Sequence, residues 1–428
     1  MKQTSSQNNS MARVMSLRDF RLLFSGAAVS LIGDQFTLIA TPWLVLKLTN
    51  DPMALGLVLA LEGLPRAVFM LFGGAITDSL SPRRVMLIAN LTRLVLTGMM
   101  ALLVLSGLVQ LWMIYIFGLL FGIVAGFAVP AENSIVPMLV EEQDLQAGNS
   151  IMMGITQLAG FVGPTVAGIL IGQFSGTLFG VGAAFVLDAF SFAVSAVTLQ
   201  WIRAGGPSQT VKAEAQESLL ASIRTGIRYL WTDQTLRLMF LMLTAVNFLL
   251  IGPLMVGIPV LANQRLPEGA AAFGVLMSAF AGGNLAGFLL AGFLPRPGGD
   301  KMRWIVLLVT GSFGLVIGLL GLIPYTWLDF ALLLVLGLGN GYIAILMMTW
   351  MQTRTPKEML GRMMSLLMFS STGLVPISQA IAGVLSKWNL TMLFLIPGLL
   401  VVLVTFWAAF QPELKGFSAG LTMVSTEG

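Results

Sequence analysis

The sequence predicts an all-α integral membrane protein: twelve transmembrane helices in two six-helix halves, with the N- and C-termini cytoplasmic. Three observations carry this. The hydrophobic fraction is 57% and the charged fraction only 10%, whereas soluble domains carry about a quarter charged residues. Apolar runs of about 20 residues, the length that crosses a bilayer, recur along the whole chain. Lys and Arg gather in alternate connections between those runs.

The elements follow in order. Residues 1–16 are polar and predict a disordered cytoplasmic tail. They do not read as a signal peptide, because the first apolar segment is too long, carries Asp34 and precedes no small-residue cleavage site. The N-terminal half covers residues 17–202, with spans at 20–46, 53–77, 84–106, 111–131, 149–173 and 177–202. The breaks between spans are short and turn-like, such as 49–52 and Ser106-Gly107. One long polar connection, 203–235, contains Gly205-Gly206-Pro207 and reads as a cytoplasmic linker. Its later part, 218–231, reads as an amphipathic helix with Arg224 and Arg228 on one side, lying along the membrane surface. The C-terminal half covers residues 236–411, with spans at 236–261, 271–294, 303–323, 328–351, 362–385 and 390–410, before a cytoplasmic tail at 412–428.

Orientation follows from the basic residues. With the N-terminus inside, most of the 23 Lys and Arg lie in cytoplasmic segments. Lys47, Arg265 and Lys387 lie in outer loops, and Arg66 and Arg93 lie within spans. An odd span count would invert half the loops and spoil this bias. The halves also echo each other. Gly74 and Gly292, Asp144 and Glu358, and Pro164 and Pro376 recur at separations near half of the 428 residues. Two six-span halves with substrate held near the midplane are a known transporter plan.

Cysteine and histidine are both absent. That removes disulfides, thiolate metal sites, catalytic thiols and the commonest proton shuttle, and leaves proton chemistry to carboxylates. No metal site or cofactor is expected. There is no P-loop with its Lys-Ser/Thr, and hence no ATP site. The basic residues are interleaved with apolar runs rather than gathered in a soluble patch, which argues against nucleic acid.

Glycines recur every fourth residue at Gly118, Gly122 and Gly126, and again at Gly160, Gly168 and Gly172 and at Gly283 and Gly287. Such faces let helix backbones approach closely. Charges inside spans are costly and should face the protein interior with a partner. They are Asp34, Glu62, Arg66, Arg93, Glu132 and Asp188, all in the first half. Spans 7 to 12 carry no ionisable residue away from their ends. Glu62 and Arg66 share a helix face and predict a neutralised pair. Asp34 has no partner on its own helix; it is either a coupling acid or paired with Arg66 or Arg93. Glu132 and Asp188 are expected nearer the helix ends, within reach of headgroups or water. Asp34, Glu62 and Asp188 are the proton-coupling candidates, with Arg66 and Arg93 as their intramembrane partners.

The connection between spans 2 and 3 reads Gly74-Ala75-Ile76-Thr77-Asp78-Ser79-Leu80-Ser81-Pro82-Arg83-Arg84. An acid at the membrane edge beside an arginine pair serves as a helix cap or as a cytoplasmic latch that closes in one state and opens in the other. Gly74, Asp78, Arg83 and Arg84 resemble the loop 2–3 motif of the major facilitator superfamily, which runs Gly-x-Leu-Ala-Asp-Arg-x-Gly-Arg-Arg. Gly160, Gly163, Pro164 and Gly168 are similar to the span 5 motif common among antiporters of that superfamily. Leu31-Ile32-Gly33-Asp34, Ala40-Thr41-Pro42-Trp43, Pro130-Ala131, Val136-Pro137, residues 145–149, residues 188–192 and Gly361-Arg362-Met363 resemble its branch of macrolide, multidrug and siderophore exporters. The resemblance covers residues 17–411.

There are departures. Ser79 stands where the motif has arginine, Ile76-Thr77 replace Leu-Ala, and Ser81 replaces glycine. The second-half copy after Gly292 has lost its acid. The resemblance implies that Asp78 engages Gly361 and Arg362, and that transport is driven by proton exchange. The reading that results is a proton-coupled antiporter in a bacterial-type inner (plasma) membrane. It exports an amphiphilic small molecule such as a drug, macrolide or siderophore, and works among membrane lipids as a monomer. The alternatives are a lysophospholipid flippase of the same fold, or a non-transporting sensor or enzyme. Against the last two, no cluster of polar catalytic residues and no added soluble domain is evident.

Overall fold

The computed structural model describes residues 10–174, 176–203, 219–295, 297–298 and 300–415. The remainder of the expected N-terminal tail, the first part of the linker, and the C-terminal tail from residue 416 lie outside the described residues. Among the described residues, twelve helices are long and apolar enough to cross a membrane. Spans 1 to 6 are Arg18–Thr49, Pro52–Leu80, Pro82–Leu105, Leu111–Ile135, Leu145–Gln173 and Phe179–Trp201. Span 7 is Gln234–Gln264, span 8 Ala270–Phe293, span 9 Asp300–Leu320, span 10 Thr326–Arg354 and span 12 Leu390–Ala409. Span 11 is broken into Lys357–Thr372 and Val375–Trp388. Leu102 and Leu308 are each 70% exposed, and Phe293 83%. Side chains of this kind, so exposed on helices this apolar, have lipid as their solvent.

The chain falls into two compact units, and the division is not clean at the linker. Residues 267–278, the start of span 8, cluster with the first unit. Within it, Gly168 and Gly274 bring two backbones together, since a side chain on either would meet the other residue's Cα at 2.8–2.9 Å. Ser278 Oγ accepts from the Thr165 amide at 3.0 Å, one residue after Pro164, which interrupts the span 5 ladder.

In the first unit, span 4 lies along span 2 on its glycine face. Side chains at Gly118, Gly122 and Gly126 would meet the carbonyl oxygens of Val58, Glu62 and Arg66. The four-residue period of one helix thus reads the four-residue period of the other. Spans 1 and 6 meet the same way, with Gly26 against Thr198 and Gly33 against Ser191 and Asp188. Residues 10–16, expected as part of a disordered tail, are helical. The Arg13 guanidinium donates to both carboxylate oxygens of Asp144 at the start of span 5, which gives a polar segment a fixed partner.

In the second unit, Gly283 and Gly287 pack on the backbone of Leu334 and Leu338, and Gly337 and Gly341 on that of Phe280 and Asn284. Spans 8 and 10 are therefore joined by a reciprocal glycine contact. Span 7 carries a π turn at Pro253–Gly257. Just before it, Ser378 of span 11 inserts its hydroxyl into the helical ladder. The Gly252 amide donates to Ser378 Oγ at 3.0 Å, and Ser378 Oγ donates to the Phe248 carbonyl. An inserted side chain of this kind breaks a helix locally. Span 11 breaks close by, at Gly373-Leu374 ahead of Pro376. The described part of the linker forms the helix Leu219–Thr232. Asp233 follows it and caps span 7, accepting from the Thr235 and Leu236 amides at 2.9 and 3.1 Å. Burial opposes charge on Asp233, but the Arg354 guanidinium at 3.0 Å and the two capping amides outweigh it and hold the carboxyl below its ordinary range.

The turn between spans 2 and 3 is strained. Ser81 is buried and adopts φ 89° and ψ 139°, a backbone conformation that favours glycine. The strain costs about 1–3 kcal/mol. Ser81→Gly is expected to raise the thermal unfolding temperature of the detergent-solubilised protein. An unchanged or lower midpoint counts against the strain.

Candidate functional site

Six charged side chains enter the membrane-spanning part of the first unit, and Arg93 of span 3 stands among them. Its guanidinium forms an ion pair with Glu132 of span 4 at 3.3 Å. It also lies over the ring of Phe192 of span 6, 5.7 Å from the centroid. Asp34 on span 1, Glu62 on span 2 and Asp188 on span 6 all lie within its electrostatic reach. One turn before Arg93, Asn90 donates to Ser195 Oγ at 2.9 Å. Four helices of the first half thus point a carboxylate towards the arginine of a fifth.

The carboxylates are held differently. Asp188 is only 1% exposed and accepts from Thr37 Oγ1 at 2.5 Å and from Ser191 Oγ at 3.3 Å. Two hydroxyl donors satisfy it inside the span 1–span 6 contact. This corrects the expectation that Asp188 reaches headgroups or water: it sits mid-helix in Phe179–Trp201, on the face that span 1 covers. Asp34 lines a cavity of about 400 Å³ together with Arg93 and Glu132. Asn90, Asn133, Asn149, Thr156, Ser30 and Ser195 add neutral polar groups, and Met86, Met152 and Met153 an adaptable apolar surface. Glu62 and Arg66 act on each other's charge along span 2, but no direct ion pair joins them among the described residues. The direct ion pair of Arg93 is with Glu132 rather than with Asp34.

The cluster holds four acids and two bases. With every group ionised it carries an excess of two negative charges. Asp34, Glu132 and Arg93 line the cavity itself, so a cation or a proton entering it meets an excess of one negative charge there, with Glu132 partly open to solvent.

The loop 2–3 residues divide. The surroundings of Gly74 and the side chain of Asp78 lie outside the described residues. Arg83 donates to the carbonyls of Leu199 at 2.9 Å and Gln200 at 2.7 Å. It thereby caps the C-terminal end of span 6, where orphan carbonyls and the helix dipole favour a cation. Arg84 is exposed. Gly361 and Arg362 stand in the first helix of span 11, where Arg362 approaches Met359 Sδ at 3.5 Å. Arg362 also packs against Gly226 of the linker helix. In span 5, Gly160 is half-buried, and Gly163 lies against the side chain of Gln35.

Sequence reasoning put Glu132 among the lesser charges and passed over the polar lining altogether. The Arg93–Glu132 pair joins residues 39 apart, and no helical spacing announces it. Asn90 carried a readable signal, because it lies three residues before Arg93 on the same helix face.

Comparison with known proteins follows the same lines. The model of the Major Facilitator Superfamily matches residues 23–377. The chain is similar to the multidrug efflux pump Tap of Mycolicibacterium fortuitum, with 26% identity over 403 residues, 92% of this chain and 96% of that one. It is also similar to the enterobactin exporter EntS of Shigella flexneri, with 28% identity over 346 residues, 80% of this chain and 79% of that one. Among solved structures, a bacterial homologue of the iron transporter ferroportin superposes with a TM-score of 0.68 at 19% identity, covering 92% of this chain and 99% of that one. The nucleoside transporter NupG gives 0.69 at 15%, covering 91% and 98%. At such identity the structural likeness speaks for the fold alone.

Proposed function

The chain belongs to the Major Facilitator Superfamily and is a multi-pass inner-membrane transporter rather than an enzyme; from that premise we propose that it exports an amphiphilic small molecule in exchange for protons. The observation that carries the reading is the Arg93 cluster beside the 400 Å³ cavity. Charged groups in a membrane interior are expensive and mark ion or substrate pathways. The cavity offers neutral hydrogen-bonding groups, a methionine surface and an acid excess, which suits a molecule with an apolar body and a polar or cationic end. The similarity to a multidrug efflux pump and an enterobactin exporter supports efflux as the direction.

In this reading both termini face the cytoplasm. Substrate enters from the cytoplasm or the inner leaflet, and Asp34 exchanges it for a proton. A gradient drives the cycle only if the two access states differ in proton affinity. Asp78, engaging Gly361 and Arg362, would latch one of those states, as the loop motif implies. A lipophilic cationic dye is a sufficient probe.

Purified protein in liposomes should move such a dye when a pH gradient is imposed. Asp34→Asn should lose at least about a hundredfold of the gradient-driven rate, the lower end of what one positioned proton-transfer group supplies. Dye movement that ignores a proton ionophore sinks the coupling. Full activity of Asp34→Asn sinks the role given to that residue.

A further inference from the structure

The second half also holds a buried acid. Asp329 lies in the first turn of span 10, close enough to its start that its position in the sequence suggests solvent. The structure encloses it completely, at 0% exposure. Its amide makes the ordinary helical bond to the Tyr325 carbonyl at 3.0 Å. Neither carboxyl oxygen has a hydrogen-bond partner among the described residues. An ionised carboxylate so placed costs several kcal/mol, and a neutral polar group much less.

Arg265, at the end of span 7, is the charge that acts on Asp329. It is already committed. One terminal nitrogen donates to the Gly321 carbonyl and the other to Thr391 Oγ1, both at 2.7 Å. Arg265 thereby staples the end of span 7 to the end of span 9 and the start of span 12. Span 9 packs against span 10, but its basic residues, Lys301 and Arg303, lie in its first turn, roughly 27–30 Å along the axis from the Gly321 end. Span 8, which packs on span 10 through Gly283 and Gly337, and span 12 have no ionisable residue, and the only one in span 7, Arg237, lies in its first turn.

We propose that Asp329 is a proton-binding site of the second half, separate from the Arg93 cluster and set at the end of the second unit where span 12 begins. While Arg265 holds the staple, Asp329 is the acid. When the staple opens, the carboxyl O–H bond breaks, the proton passes to water, and the carboxylate takes Arg265 as its counter-ion. Each half then carries its own proton site.

The composition makes the site measurable. With no His and no Cys, no side chain of ordinary affinity titrates between about pH 5 and pH 9 apart from the terminal amine. Protons bound or released in that window by the purified, detergent-solubilised full chain come from displaced carboxyls. Potentiometric titration should find one proton fewer in Asp329→Asn than in the wild type, with the step retained in Asp34→Asn. Arg265→Gln keeps the carboxyl and should move the pH of that step. Gel filtration establishes that each variant is folded. If Asp329→Asn fails to fold, Arg265→Gln decides alone: a moved step supports the site. Titration curves of folded variants that coincide with the wild type overturn the proposal, and leave the reading of Asp34 untouched.

Discussion

Arg93→Met should abolish transport and destabilise the protein by about 1 kcal/mol, the upper end for an ion pair whose acid, Glu132, is 42% exposed. The guanidinium balances Glu132 directly and acts on Asp34, Glu62 and Asp188. Methionine fills much of the same volume, so the loss is charge rather than packing. A double variant separates the two effects. Adding Glu132→Gln to Arg93→Met removes both members of the direct pair, and a cost shared in this way is smaller than that of the lone deletion. Thermal unfolding in detergent should therefore place the double variant above Arg93→Met. Dye transport should be absent from both. A double variant no more stable than Arg93→Met shows that the pair with Glu132 is not what holds Arg93.

The second large effect lies on the glycine face. Gly122→Leu should prevent folding, and even Gly122→Ala should cost about 1–3 kcal/mol, as overpacking does. The atom in the way is the Glu62 carbonyl, which belongs to a helix backbone and cannot swing aside. Gly98, on span 3, is the matched control, because nothing lies within contact distance of a side chain added there. Gly98→Leu should fold and transport as the wild type does. The yield of monodisperse protein on gel filtration checks both. Equal yields of Gly122→Leu and Gly98→Leu count against the close approach of spans 2 and 4.

Most of the span pattern was legible because each crossing needs an uninterrupted apolar run, and that run is a property of adjacent residues. The glycine faces were legible for the same reason: Gly118, Gly122 and Gly126 declare a face, although not which helix they meet. Partnerships between spans were not legible. Arg93 could have paired with any acid at its depth, and only the packing of spans 3 and 4 selects Glu132. Asp188 lies in the middle of its span rather than near an end, and span 1 covers it. Asp329 does lie at a helix end, yet the first turn of span 10 is not open to solvent there. Residues 10–16 showed no apolar period, and their helix rests on a partner, Asp144, that lies far along the chain. Ser81 was noted only as a missing glycine; the positive φ shows what that glycine would have supplied.

Spans 2 and 4 meet through main-chain oxygens and glycine α-carbons. Glu62, Arg66 and Glu132 therefore project from helices whose attachment to each other owes little to those side chains. A lineage can exchange the charged lining residue by residue while the scaffold stays assembled. Divergence of cargo among transporters built this way then requires few compensating changes, and the glycines should be the slowest positions to drift.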